Sequence, residues 1–128
     1  MKTMYDRGKK SRYLVIVFPK DKFEIFLELC ADNTKYSDLM KKHEITSHVA
    51  RSIAGKTIYW LRRLAEDTRD EEMEAITLRR KTYESNLSVR QYLEKYGQFF
   101  INKVEYYQKS GRILISKDIQ GTKSIWRY

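Results

Sequence analysis

Apolar residues recur along most of this chain at helical spacing, and that periodicity narrows the fold more than any other feature. In "KDKFEIFLELCAD", Phe23, Phe26, Leu27 and Cys30 fall at i, i+3, i+4 and i+7, one stripe of an amphipathic helix. "KYSDLMKKHE" predicts a short second helix with Tyr36, Leu39, Met40 and His43 inward. Thr46 or Ser47 opens a third helix running toward Ala65, with Ala50, Ile53, Thr57, Trp60 or Leu61, and Leu64 inward. "EDTRDEEMEAITLRRK" carries acidic groups early and basic groups late, matching the polarity of a helix dipole. Ser88 caps "VRQYLEKYG", which Gly97 is expected to end, and Ser110-Gly111 closes "QFFINKVEYYQKSG".

Only the ends of the chain depart from this period. "YLVIVF", at residues 13–18, reads as a short strand closed by Pro19. "RILIS" and "SIWRY" flank a polar turn containing Gly121, the pattern of a β-hairpin. The expected fold class is therefore mainly α with a small β hairpin. Three segments are expected: a basic tail at 1–12, a strand plus helices at 13–66, and a helical extension with the hairpin at 67–128. No linker separates them, so they should pack as one domain.

Charge is unevenly placed. The net charge is +9, and residues 34–65 hold seven basic against two acidic groups. Residues 85–128 hold eight against three, while residues 66–84 between them hold four against seven. Two basic blocks flanking an acidic connector suit a polyanionic partner, because cations beside phosphates release condensed counterions. The lone cysteine, Cys30, cannot pair within the chain and sits in an apolar stripe, so it reads as a buried, inert thiol. The apolar run after the basic start is too short for a signal peptide or a membrane span. The expectation is a soluble, intracellular protein, cytoplasmic or nucleoid-associated, with no membrane partner.

"SDLMKKHEITSHVARSI" places Leu39, His43, Ile45, Ala50 and Ile53 where two crossing helices need inward residues. Thr46, Ser47, His48, Arg51, Ser52 and Lys56 then face outward, and nearly all can hydrogen-bond to base edges or phosphates. This spacing resembles the helix-turn-helix of small transcription regulators across roughly residues 20–65. It differs from the usual pattern at Glu44, where glycine commonly turns the chain, at Met40, where alanine is usual, and at His43. The resemblance implies that Ser47, His48, Arg51 and Ser52 read bases while Lys41, Lys42 and Lys56 hold phosphates.

The C-terminal order of helix, turn, helix and hairpin is similar to a winged helix. That likeness places Lys117, Lys123 and Arg127 on or beside the wing, against the DNA backbone, with Lys103 and Lys109 available on the preceding helix. The hairpin could equally serve the N-terminal motif by pairing with "YLVIVF". Tyr96, Phe100, Val104 and Tyr107 recur at helical spacing and read as core or as the seam of a homodimer. Phe99 and Tyr106 fall beside that stripe and are candidates for stacking unpaired bases.

Catalytic motifs do not hold up. "ARSIAGKT", residues 50–57, meets a loose P-loop pattern, but Ala50 replaces the first glycine and "RSIA" favours helix. His48 and Arg51 spell the H-x-x-R of tyrosine recombinases in a chain too short for that catalytic domain. His43, His48 and Cys30 lack zinc-ligand spacing. No enzyme, cofactor or metal site is expected. The reading is sequence-specific double-stranded DNA binding by a winged helix-turn-helix with additional helices, as a homodimer serving transcription regulation or a plasmid or phage. RNA or single-strand binding, and a protein-binding adaptor, are the alternatives.

Overall fold

Strand β1 (Ile16–Pro19) turns Ile16 and Phe18 inward and runs directly into helix α1 (Lys20–Cys30), with Pro19 at the helix boundary. The computed structural model describes residues 14–31, 36–82 and 88–117. Helices α2 (Tyr36–His43), α3 (Ser47–Thr68), α4 (Glu71–Thr82) and α5 (Val89–Lys109) follow, and strand β2 (Ile113–Ser116) closes the described chain. The fold is mainly helical with a two-stranded sheet.

Phe23, Ile25, Phe26 and Cys30 are the buried residues of α1, and Leu27 is half-buried. The buried face is wider than the anticipated stripe because α1 packs against both α3 and α5. Phe26 meets Phe100 of α5 edge-on, with ring centroids 6.1 Å apart. Burial pushes the Cys30 thiol up to about 12, so it stays protonated and inert.

Helix α5 is continuous where a break at Gly97 was expected. Gly97 is instead the point at which α5 crosses the end of α1. A β-carbon there would lie 2.2 Å from the Cys30 carbonyl oxygen. Glycine serves close approach here, not termination. The start of α5 has a reciprocal cap: Ser88 accepts from the Gln91 amide, and Gln91 accepts from the Ser88 amide.

The acidic connector divides into a helix end, a junction and a new helix. Helix α3 runs three residues past Ala65, and Arg69 turns the chain in left-handed backbone (φ 58°, ψ 40°). Asp70 then opens α4, its Oδ1 accepting from the Met73 amide at 3.1 Å. Met73 and Thr77 of α4 are buried, and the Tyr92 hydroxyl of α5 donates to the Ile76 carbonyl at 3.0 Å.

The two strands pair in parallel, Ile16 with Ile113 through Pro19 with Ser116. The run expected to be the hairpin's first arm therefore pairs with the N-terminal strand, one of the two pairings the sequence left open. The other arm, at residues 124–128, lies outside the described residues. So do the basic tail, Lys123 and Arg127.

Candidate nucleic-acid interface

Three residues, Glu44, Ile45 and Thr46, connect α2 to α3. Glu44 takes φ 54°, the left-handed conformation that glycine adopts without strain. Ile45 packs against the core, and its amide donates to the Met40 carbonyl at 3.0 Å. Thr46 caps α3, its Oγ1 accepting from the Val49 amide at 3.2 Å. That cap engages one lone pair of the hydroxyl and ties Thr46 to the start of the helix, while its O–H can still donate.

Helix α3 buries Ala50, Ile53, Ala54, Thr57, Ile58, Leu61, Leu64 and Ala65 on one side. This row holds its axis against the core and leaves Ser47, His48, Arg51 and Ser52 exposed on the other side. Arg51 and His48 have no hydrogen-bond or ion-pair partner among the described residues. Lys56 is half-exposed farther along the helix. The backbone of residues 50–57 is unbroken α-helix, so it offers no loop of free amides to cradle a phosphate. Gly55 sits in that helix with open space around it.

The lysines of α2 differ from one another. Lys41 is exposed and unpaired among the described residues. Lys42 pairs with Glu28 of α1 at 2.6 Å, and the His43 ring bonds the other oxygen of the same carboxylate. His43 thus clamps α2 to α1 instead of filling the core. Partial burial raises the Glu28 pKa, but the Lys42 and His43 hydrogen bonds and charges outweigh it and hold the carboxyl below its ordinary 4.5. Lys42 is therefore partly neutralised as a phosphate contact.

The remaining predicted cations do not gather here. Lys103 is bound to Asp70 at 2.8 Å, with Glu72 nearby at 3.6 Å. Burial works against its charge, yet the Asp70 hydrogen bond and both carboxylates hold its pKa above the ordinary lysine value. Lys117 is exposed just after β2. Arg112, at the base of that strand, pairs with Asp67 at 2.8 Å. Asp67 lies about 24 Å along α3 from Arg51, so the strand starts from the opposite end of the helix. The aromatic stripe of α5 is also spent internally: Phe100, Val104 and Tyr107 are buried in the chain's own core. It is not available as a dimer seam.

One group escaped the sequence reading. Tyr59, Arg62 and Arg63 prolong the outer side of α3, with both guanidinium groups 5.9 Å from the Tyr59 ring. Arg63 also donates to the Tyr59 hydroxyl at 3.0 Å and stacks 5.6 Å from the half-buried Trp60. The signal was present in "YWLRR", since Tyr59 stands three and four residues before the arginines. Helical period alone marks only the inward Trp60 or Leu61 in this stretch, and it says nothing of the ring–guanidinium contacts on the outer side. No helix among the described residues is long and apolar enough to cross a membrane. No protein-family model, curated protein or solved structure matches this chain.

Proposed function

We propose that this protein binds double-stranded DNA, with the N-terminal half of α3 in the major groove and α2 across the backbone. One observation carries the reading. Behind a tight, capped turn, α3 presents Ser47, His48, Arg51 and Ser52 on one exposed side, and neither Arg51 nor His48 has a partner among the described residues. An unsatisfied guanidinium on a rigid helix is suited to bidentate recognition of guanine. Lys41 at the end of α2, and Lys56, Tyr59 and Arg63 farther along α3, lie where phosphates would flank the groove.

A homodimer is the natural form, since one such helix reads only a short half-site. Its contact must lie elsewhere than the buried stripe of α5. The role we propose for such binding is transcription regulation, or that of a plasmid or phage accessory factor.

The test is selection from a random duplex pool, followed by anisotropy on the selected and on scrambled duplexes at two salt concentrations. Arg51→Ala is expected to cost ~1–3 kcal/mol on the selected duplex and to relax preference at one position. Lys41→Ala is expected to weaken both duplexes alike and to flatten the salt dependence. Equal losses on both duplexes for Arg51→Ala would remove the base-reading role. Better competition by single strand than by duplex would replace the reading altogether.

A further inference from the structure

A large cleft opens at the far end of α3, away from Arg51, and the duplex-binding face does not use it. Its volume is about 880 Å³, in the range of sites for small organic ligands. The α3–α4 junction forms one wall and the last turns of α5 the other.

Its carboxylates are already committed. Asp67 accepts from Arg112 and from the Leu14 amide at 2.8 and 3.0 Å. Asp70 accepts from Lys103, from the Tyr107 hydroxyl and from the Met73 amide. With those charges balanced, one cation remains. Arg69 lines the cleft, is exposed, and its guanidinium has no partner among the described residues. It also occupies left-handed backbone at φ 58°, where glycine ordinarily ends a helix. The chain therefore tolerates strain at the position that brings a guanidinium to the rim.

Two further groups have capacity to spare. Asn102 accepts from Gln98 through Oδ1, and its amide N–H groups have no acceptor among the described residues. Tyr106 is 61% exposed, and its ring stands edge-on against Tyr107 with centroids 5.0 Å apart. That contact braces an aromatic face beside the cleft. An uncompensated guanidinium, amide donors and a braced ring together match a phosphate, a polar heterocycle edge and a flat base.

We propose that this cleft binds a nucleotide unit, with its base on Tyr106, its phosphate on Arg69 and a polar edge on Asn102. The unit is either a free nucleotide or the terminal, unpaired residue of a strand, since both present the same chemistry. The site is separate from the duplex-binding face, and either can stand without the other.

The experiment titrates the ¹⁵N-labelled full chain with AMP and, separately, with a short 5′-phosphorylated oligodeoxyadenylate, following amide shifts. Saturable shifts at Arg69, Asn102 and Tyr106 are expected. Tyr106→Leu and Arg69→Gly should each weaken binding roughly tenfold. Arg69→Gly should at the same time raise the Tm, because glycine relieves the left-handed backbone; a merely structural Arg69 would give the rise without the loss. Tighter binding of the oligonucleotide assigns a strand end, and tighter binding of AMP assigns a free nucleotide. Absence of saturable shifts, shifts centred on residues 47–52, or wild-type AMP affinity in both variants would overturn the proposal. Duplex anisotropy on the same samples reports separately on α3, so loss of one function is distinguishable from loss of the other.

Discussion

Glu44 and Arg69 hold left-handed backbone although neither is glycine, and both stand at helix boundaries. For an L-residue this conformation costs about 1–2 kcal/mol, offset in part by the unfolded-state freedom that glycine would add. Glu44→Gly is therefore expected to stabilise the protein by about 0.5–1 kcal/mol in urea unfolding. It also removes a carboxylate from the turn between α2 and α3, so duplex affinity should rise in the same variant. Unchanged stability would mean that the Glu44 side chain contributes contacts of its own. Asp70 carries a second residue-scale expectation. Its burial raises the pKa, but bonds from Lys103, Tyr107 and the Met73 amide outweigh that and hold it below the ordinary 3.8. Glu28 is shifted the same way by Lys42 and His43. A carboxyl whose folded pKa is depressed contributes stability above its unfolded value and loses it as pH falls toward the folded one. Stability should thus be level near neutrality and decline below about pH 4.5. Asp70→Asn should lower the neutral value and flatten the acid limb.

At the scale of elements, two capped helix starts were legible, whereas helix lengths and the start of α4, expected at Glu66 and found at Glu71, were not. The caps at Thr46 and Ser88 are local chemistry, and both stand at the positions the sequence indicated. The break expected at Gly97 treats glycine as punctuation. What Gly97 does depends on Cys30, sixty-seven residues earlier in the chain, which no local pattern exposes. Gly97→Ala is expected to destabilise by about 1–3 kcal/mol or more, the cost of overpacking a well-filled contact, because backbone rather than a flexible side chain must move. Gly55→Ala, with open space around its β-carbon, should instead stabilise α3 by about 1 kcal/mol. Thermal unfolding of the two variants checks both signs, and shifts in the same direction would contradict the packing of α1 on α5. The outward row of α3 was legible from period alone. The spending of Lys42 on Glu28 was not, because that partner comes from geometry.

For the whole molecule, Asp67 joins the two ends of the described chain. It receives the Leu14 amide at the entry to β1 and Arg112 at the entry to β2, and Arg112 donates also to the Leu14 carbonyl at 3.2 Å. The side chains of the Asp67–Arg112 pair are only 18% and 16% exposed, so breaking it leaves a poorly solvated charge. Asp67→Ala is expected to cost about 2–3 kcal/mol. Duplex affinity should persist in the folded fraction, because α2 and the N-terminal half of α3 lie at the other end of the molecule. Urea unfolding and anisotropy on the same preparation check the two halves of that statement. Normal stability would remove the structural role of the Asp67–Arg112 pair, and a variant that stays folded but no longer binds duplex would show that the two ends are not separable.

Periodicity, caps and charge are properties of neighbours along the chain, and they determined much by themselves. The helical class, the boundary between α2 and α3, the buried Cys30 and the outward row holding Arg51 could all be read from them. Pairings between distant segments followed only from the tertiary structure. These are the parallel joining of β1 to β2, the crossing at Gly97, the choice of core over seam for the α5 aromatics, and the binding of Lys103, Lys42 and Arg112 to carboxylates elsewhere. The reason is physical. A side chain's tendency to be buried is set by its own chemistry and period, whereas its partner is chosen by which surfaces meet once the helices have packed.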